Sequence, residues 1–517
     1  MRVARRNLRL GHPVFISTLV GVALLTLYLI TKSPTITWEH NGADSGELAA
    51  AAIILGIPHP PGYPLWIILN HWALKVIPGT DPAGQLVILS CICAALTGSL
   101  VTYTSIKLVS TFFKDNRVNI ALGSITAGLF CGTSPLIWSQ ATIVEVYPLL
   151  ALVIACVMIL ALKSYDGQKD EGKTRLPLIG LLIGLGTGIH LTILFLIPAF
   201  MPLFFKRISI KESMKFVLGV TAGMNIFWVL PFFAMRHPAI SWGDATSLNG
   251  FLWLVSGTPY QDLFLGLPLH EMPQRAFEMS RLLARQFGGL GWAIFVYGAA
   301  ILWQKDRRLT LSLASLMIVY CGYAFLYGSN DSIVYIIPAL LAGGIVIGIG
   351  TVQFLSWINM KIRRPTIIPF LAILVLGPSL SVLVSWDRIN LSSNVQALQY
   401  AQSISLTLDS DDILLVDTDR HIFSMWYYCF GLEESGCPKI ITPALLRYQW
   451  YRNQIFDRYN LIDENLSDYD GALNDLLHAT KNIRIYISTD TYPLPENYAV
   501  KQKQEGLYEI IRQESLR

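Results

Sequence analysis

Residues 38–65 read WEHNGADSGELAAAAIILGIPHPPGYPL, and the character of this stretch decides how the rest of the chain is read. It follows the first strongly apolar run and gathers acids, two histidines and a proline turn where a membrane surface is expected. Ionisable groups are costly there and mark function or specific pairing. Asp44 and Glu47 are three residues apart, which places both carboxylates on one face of a helix. Two readings fit this spacing. D-S-G-E ahead of LAAAAIIL is a helix start, with Asp44 as N-cap and Glu47 returning to it as in a capping box. It also presents a pair of acids able to handle a proton. The HPPG that follows supports the second reading. His59 precedes a proline and is driven to extended geometry, Pro60 and Pro61 stiffen the chain, and Gly62 admits a sharp turn, so the imidazole is held in place.

Of the 517 residues, 53% are hydrophobic and only 14% are charged, against about 25% charged in soluble domains. The mean hydropathy is +0.48. This is the composition of an integral membrane protein. The net charge of +4 arises from short scattered clusters rather than a basic stripe, so no nucleic-acid partner is implied. The basic start and the apolar run behind it lack a small-residue cleavage site and are expected to form a retained first span. None of the seven cysteines has metal-ligand spacing. A divalent metal is not indicated, and the sequence assigns no cofactor.

Apolar runs place spans near 12–32, 85–106, 118–138, 143–162, 214–235, 287–303, 309–327, 333–357 and 366–386. The segment 177–205 is either one tilted helix or a hairpin of two short ones broken at GLGTGIH. Basic clusters decide between them. They occur at Arg2, Arg5, Arg6 and Arg9; at Lys107, Lys114 and Arg117; and at Lys163, Lys169, Lys173 and Arg175. They recur at Lys206, Arg207, Lys211 and Lys215; at Lys305, Arg307 and Arg308; and at Lys361, Arg363 and Arg364. A hairpin keeps every cluster on the cytoplasmic side. The expectation is therefore a bundle of about eleven spans, with the N terminus inside and the C terminus outside.

Polar groups then converge on the outer side. The first outer loop, 33–84, carries Glu39, Asp44, Glu47, His59 and Asp81, and further along come Glu145 with Tyr147, His190, Arg236 with Trp242 and Asp244, and Asp331. Each has an ordinary alternative: Glu145 and Asp331 as helix caps, Arg236 snorkelling at a span end, Tyr335 packing, His190 at a tip reaching interfacial water. After Trp386 the hydropathy falls, dividing the chain into a membrane module, 1–386, and a small soluble α/β domain, 387–517. In that domain 411–417 and 482–489 read as buried strands, and 391–407, 420–430, 443–457 and 468–480 read as helices. Cys429 and Cys437 flank FGLEESG outside the cytoplasm, where oxidising conditions permit a disulfide.

The order D-S-G-E then H-P-P-G-Y-P-L resembles the hallmark of a multi-pass membrane family whose animal members are endoplasmic-reticulum protein O-mannosyltransferases. Further matches follow in order: WSQATIVEVYPL at 138–149, GIHLT at 188–192, PFFAMRHPAISWGD at 231–244, GFLWLVSGTPY at 250–260, NDSIVYIIPA at 330–339 and ILLVDTDRHIFSMWYY at 413–428. The resemblance implies a GT-C type fold and transfer of a sugar, mannose in the animal members, from a polyprenyl-phosphate donor to Ser or Thr hydroxyls of a protein. It implies Asp44 as the base and Glu47 as its orienting partner. His59, Glu145, Tyr147, His190, Arg236, Trp242, Asp331 and Tyr335 are the substrate contacts it suggests. The same fold also suits a lipid or envelope-glycan acceptor. A receptor or transporter is the reading from another class, but transporters show inverted repeats and charges within spans, and neither is visible here. The bacterial inner membrane and the endoplasmic reticulum remain equal alternatives, and no oligomeric state is implied.

Overall fold

The computed structural model describes residues 13–112, 117–166, 175–204, 208–329, 331–362, 367–461, 473, 476, 477, 483–489, 494, 495, 497–504 and 506–512. Outside this set lie Arg2, Arg5, Arg6, Arg9, Lys114, Lys169, Lys173, Lys206, Arg207, Arg363 and Arg364 of the orienting clusters, Asn330, and most of the expected helix 468–480. The chain packs into two compact units. One comprises Met1–Lys32, Val87–Ile226 and Pro259–Ser392, the other Ser33–Leu86, Phe227–Thr258 and Ser393–Arg517.

Long apolar helices make up the first unit. Over the described residues of the whole chain, 8 helices are long and apolar enough to cross a membrane, or 9 if the pair Arg117–Gly132 and Pro135–Ala141, bent by 64°, is one span. Each of the long spans expected from hydropathy has its counterpart among them. The segment 177–205 is broken into two shorter apolar helices, Leu176–Thr187 and Leu191–Phe204. The break lies at Gly188, Ile189 and His190, where His190 turns extended and its Nδ1 accepts the Thr192 N–H at 3.3 Å.

Packing of the first short helix depends on small residues. A Cβ on Gly180 would lie 2.3 Å from the Phe216 carbonyl oxygen, and one on Gly184 would lie 2.1 Å from that of Val220. Across the contact, Gly219 and Gly223 meet the Pro177 and Leu181 oxygens as closely. Two small-xxx-small faces thus bring backbones together where lipid supplies no hydrophobic drive.

The second unit contains a five-stranded sheet: β1 (Ile413–Leu415), β2 (Lys439–Ile441), β3 (Ile485–Ile487), β4 (Tyr498–Gln504) and β5 (Leu507–Arg512), in the order β2-β1-β3-β5-β4. The strands β2, β1 and β3 run parallel, and β5 and β4 continue antiparallel. The two strands expected from sequence are β1 and β3, the fully buried pair whose continuous apolar runs stand out. Cys429 and Cys437 form the disulfide expected from the sequence. Asp81, another outer-loop acid, is structural, since its carboxylate accepts from Gly84 N–H at 2.8 Å and Thr35 Oγ1 at 2.8 Å.

Candidate active site

Four sequence-selected residues meet in the second unit. Residues Glu39–Asp44 form a tight turn in which His40 and Asn41 hold φ values of 60° and 61°. Non-glycine residues in the left-handed region cost on the order of 1–3 kcal/mol each, so strain is stored directly ahead of Asp44. Helix Ser45–Ile54 then begins, with Gly46 against the backbone of helix Asp419–Trp426. A Cβ there would come within 2.3 Å of the Phe423 carbonyl oxygen.

Asp44 occupies the N-cap position but has helical backbone angles, and its side chain makes no capping hydrogen bond. The capping-box reading is therefore corrected. The physical reason is that Glu47 has better partners than the helix start. Its side chain is fully buried, and a buried carboxylate requires charge-assisted hydrogen bonds. Oε1 accepts from the indole Nε1–H of Trp242 and from the His59 backbone N–H, the latter at 3.2 Å, while Oε2 pairs with His59 Nδ1.

A short backbone pairing brings these groups together. Ile57 and Ser241 form an isolated parallel bridge, in which Ile57 N–H donates to Ile240 O at 2.9 Å and Trp242 N–H donates to Ile57 O at 3.0 Å. Beyond Ile57 the Pro60-Pro61 peptide bond is cis, and Gly62 and Tyr63 take φ values of 84° and 44°. That turn carries the Tyr63 hydroxyl back to His59 Nε2, at 2.8 Å. Asp44 Oδ2 lies 3.9 Å from the same nitrogen, and its side chain remains 34% exposed, so it is the acid a substrate can reach.

Burial, the strongest single influence on His59, pushes its pKa down. The charges of Glu47 and Asp44, the Glu47 hydrogen bond and the charge of Asp419 outweigh it and raise the value to about 10. At neutral pH the ring is an imidazolium, donating from Nδ1 to Glu47 and from Nε2 to the Tyr63 oxygen. Glu47 is thereby committed to holding His59, while Asp44 faces outward beside the cation.

Sequence reasoning missed Tyr63 and Asp419. The only signals were HPPGY itself and the acids of the matched DTDR. It also missed an aromatic group continuing from Trp242: Trp450 lies 5.8 Å from it, and Trp253 and Tyr448 adjoin Trp450 at 5.9 and 5.8 Å. Arg236 is exposed, and its guanidinium makes no hydrogen bond or ion pair among the described residues.

The remaining candidates belong to the first unit. Tyr147, His190 and Tyr335 form an aromatic triangle with ring separations of 5.6, 5.4 and 6.1 Å. Glu145 is buried, and its Oε2 accepts the Val146 N–H at 3.1 Å. Asp331 is exposed and accepts from the Ser329 hydroxyl. Among the described residues, no three His, Cys, Asp or Glu side chains are grouped as metal ligands.

Residues 44–213 match the protein O-mannosyl-transferase TMEM260 N-terminal domain. That TMEM260 range begins at Asp44 and includes Glu47, His59, Glu145, Tyr147 and His190. Beyond it, the chain is 24% identical over 462 residues to mouse (Mus musculus) protein O-mannosyl-transferase TMEM260, covering 83% of this chain and 63% of the relative. It is 22% identical over 539 residues to the Dictyostelium discoideum protein of the same name, covering 91% and 63%. The chain thus spans less than two thirds of the length of these TMEM260 relatives. Among solved structures, ArnT from Cupriavidus metallidurans bound to undecaprenyl phosphate superposes with a TM-score of 0.59 at 12% identity, covering 96% of this chain and 97% of that one. Its apo form gives 0.58 at 13% identity over the same shares. The likeness shows the fold alone: a multi-pass helical membrane fold of GT-C type.

Proposed function

We propose that the chain is a membrane glycosyltransferase that moves a sugar, mannose, from a polyprenyl-phosphate donor to Ser or Thr hydroxyls of a protein on the extracytoplasmic side. The observation that carries this reading is the division of labour between the two acids: Glu47 buried and spent on His59, Asp44 partly exposed beside it. The names of the TMEM260 relatives and the undecaprenyl phosphate of ArnT support the reaction class and the donor class.

A hydroxyl is a poor nucleophile at neutral pH. In the proposed step Asp44 takes its proton as the oxygen attacks the anomeric carbon, and the bond to the phosphate breaks with its electron pair leaving on the phosphate. His59, clamped by Glu47 and Tyr63, fixes the local charge and geometry around Asp44. Arg236 supplies an accessible cation for the departing phosphate. The aromatic triangle of the first unit carries no step in this mechanism. The Cys429–Cys437 disulfide supports placing residues 387–517 in an oxidising compartment.

The test is transfer by the full chain in detergent, with a defined polyprenyl-phosphate mannose and a Ser/Thr acceptor, read by mass spectrometry of the acceptor. Asp44→Asn is expected to retain donor binding, to lower the unfolding midpoint modestly because the Asp44 charge helps hold the proton on His59, and to lower turnover about a hundredfold or more. Near-normal turnover in that variant removes Asp44 from the role of base.

A further inference from the structure

Away from the acids, the first unit contains a groove that the transfer chemistry does not use. A cavity of about 310 Å³ opens between helices Pro82–Phe112 and Tyr147–Asp166 and the start of Arg307–Leu326, with Tyr103, Lys107, Lys163, Tyr165 and Asp306 set in an otherwise mostly apolar wall. A second, of about 470 Å³, shares Tyr103, Ile159 and Lys163 with it and extends along helix Pro13–Thr31 past Cys156.

The charges at the junction are unbalanced. Lys107 Nζ lies 5.4 Å and Lys163 Nζ 5.7 Å from the centre of the same Tyr103 ring, and neither ammonium has a carboxylate within ion-pair distance among the described residues. Asp306, the acid in the wall, is already engaged. Tyr165 Oη donates to it at 2.8 Å, and its Oδ1 accepts the N–H groups of Arg308 and Leu309 at 3.0 and 3.1 Å. Two cations facing one gap, at the ends of apolar helices and above an apolar channel, complement a molecule with an anionic head and a hydrocarbon tail.

We propose that this groove binds an anionic phospholipid, its phosphate between Lys107 and Lys163 and an acyl chain along the channel past Ile159 and Cys156. The lipid holds three helices together at the end where their apolar runs stop. This assignment is independent of the proposed transferase activity.

Native mass spectrometry of the detergent-purified full chain tests it, using phosphatidylglycerol and phosphatidylcholine with identical acyl chains. The wild type is expected to retain phosphatidylglycerol and not phosphatidylcholine. Lys107→Gln with Lys163→Gln is expected to weaken phosphatidylglycerol binding about twenty-five-fold, the product of about fivefold for each basic charge. Cys156→Trp, which narrows the channel and leaves both lysines in place, is expected to lower occupancy as well, and it serves as the readout if the double variant unfolds without lipid. Equal retention of the two lipids, wild-type affinity in the double variant, or unchanged occupancy in Cys156→Trp overturns the proposal. Displacement of phosphatidylglycerol by equimolar polyprenyl phosphate also overturns it, because the groove would then belong to the donor.

Discussion

Replacing Glu47 by Gln keeps the shape of the side chain and an acceptor for Trp242 but removes the charge facing His59. In the wild type the imidazole has a pKa of about 10 in the folded chain, against 6.5 for the free group. That separation, at roughly 1.4 kcal/mol per pH unit, corresponds to about 5 kcal/mol of stability from one buried proton. The folded value lies above the unfolded one, so this contribution is fully present below pH 6.5 and is lost as the pH rises through 10. In Glu47→Gln, burial is opposed only by Asp44 and Asp419, and the folded value falls back towards or below 6.5. The gap in stability between the two proteins should therefore be widest at and below pH 6.5 and should narrow as the pH rises through 10. Thermal unfolding of the full chain in detergent, followed by tryptophan fluorescence across this range, measures the gap. An offset that stays constant from pH 6.5 to 10 would refute the reasoning, since it would mean that Glu47 acts through packing rather than through the charge on His59.

Other outcomes follow from the same geometry. Gly46→Ala should destabilise the second unit by about 1–3 kcal/mol, because its methyl group meets a backbone oxygen that cannot rotate away; an unchanged unfolding midpoint would contradict the close contact of helices Ser45–Ile54 and Asp419–Trp426. Alkylation of the intact protein should modify Cys429 and Cys437 only after reduction, and modification without reductant would argue against the bridge. For the orientation expected from the basic clusters, a cysteine placed at Ser329 should react with an impermeant reagent from outside and one at Gln304 should not; labelling of Ser213 from outside would reverse every later loop.

Local chemistry, read along the chain, already determined much of this protein. The apolar runs marked the long helices because a span needs about 20 apolar residues, whatever it later touches. The break near His190 was legible in GLGTGIH, and β1 and β3 were legible as buried apolar strands. The edge strand β4, YAVKQKQ, was not, since none of its residues is fully buried and it carries two lysines, leaving no continuous apolar run to read. In the candidate site, the sequence placed Asp44, Glu47 and His59 within one short stretch, and the rigidity of HPPG was apparent from its prolines.

What spacing could not decide was the partner of each acid. D-S-G-E is compatible with a capping box and with an exposed acid pair, because a helix start offers the same i, i+3 geometry to both. Tertiary structure decided it. The parallel pairing of Ile57 with Ser241 delivers Trp242 to Glu47 across 195 positions of sequence. The turn through Gly62 returns Tyr63 to His59, and Asp419 acts on the same imidazole from a helix far along the chain. A fully buried carboxylate takes the strongest donors within reach, and which donors are within reach is a property of the folded chain rather than of any local stretch of it.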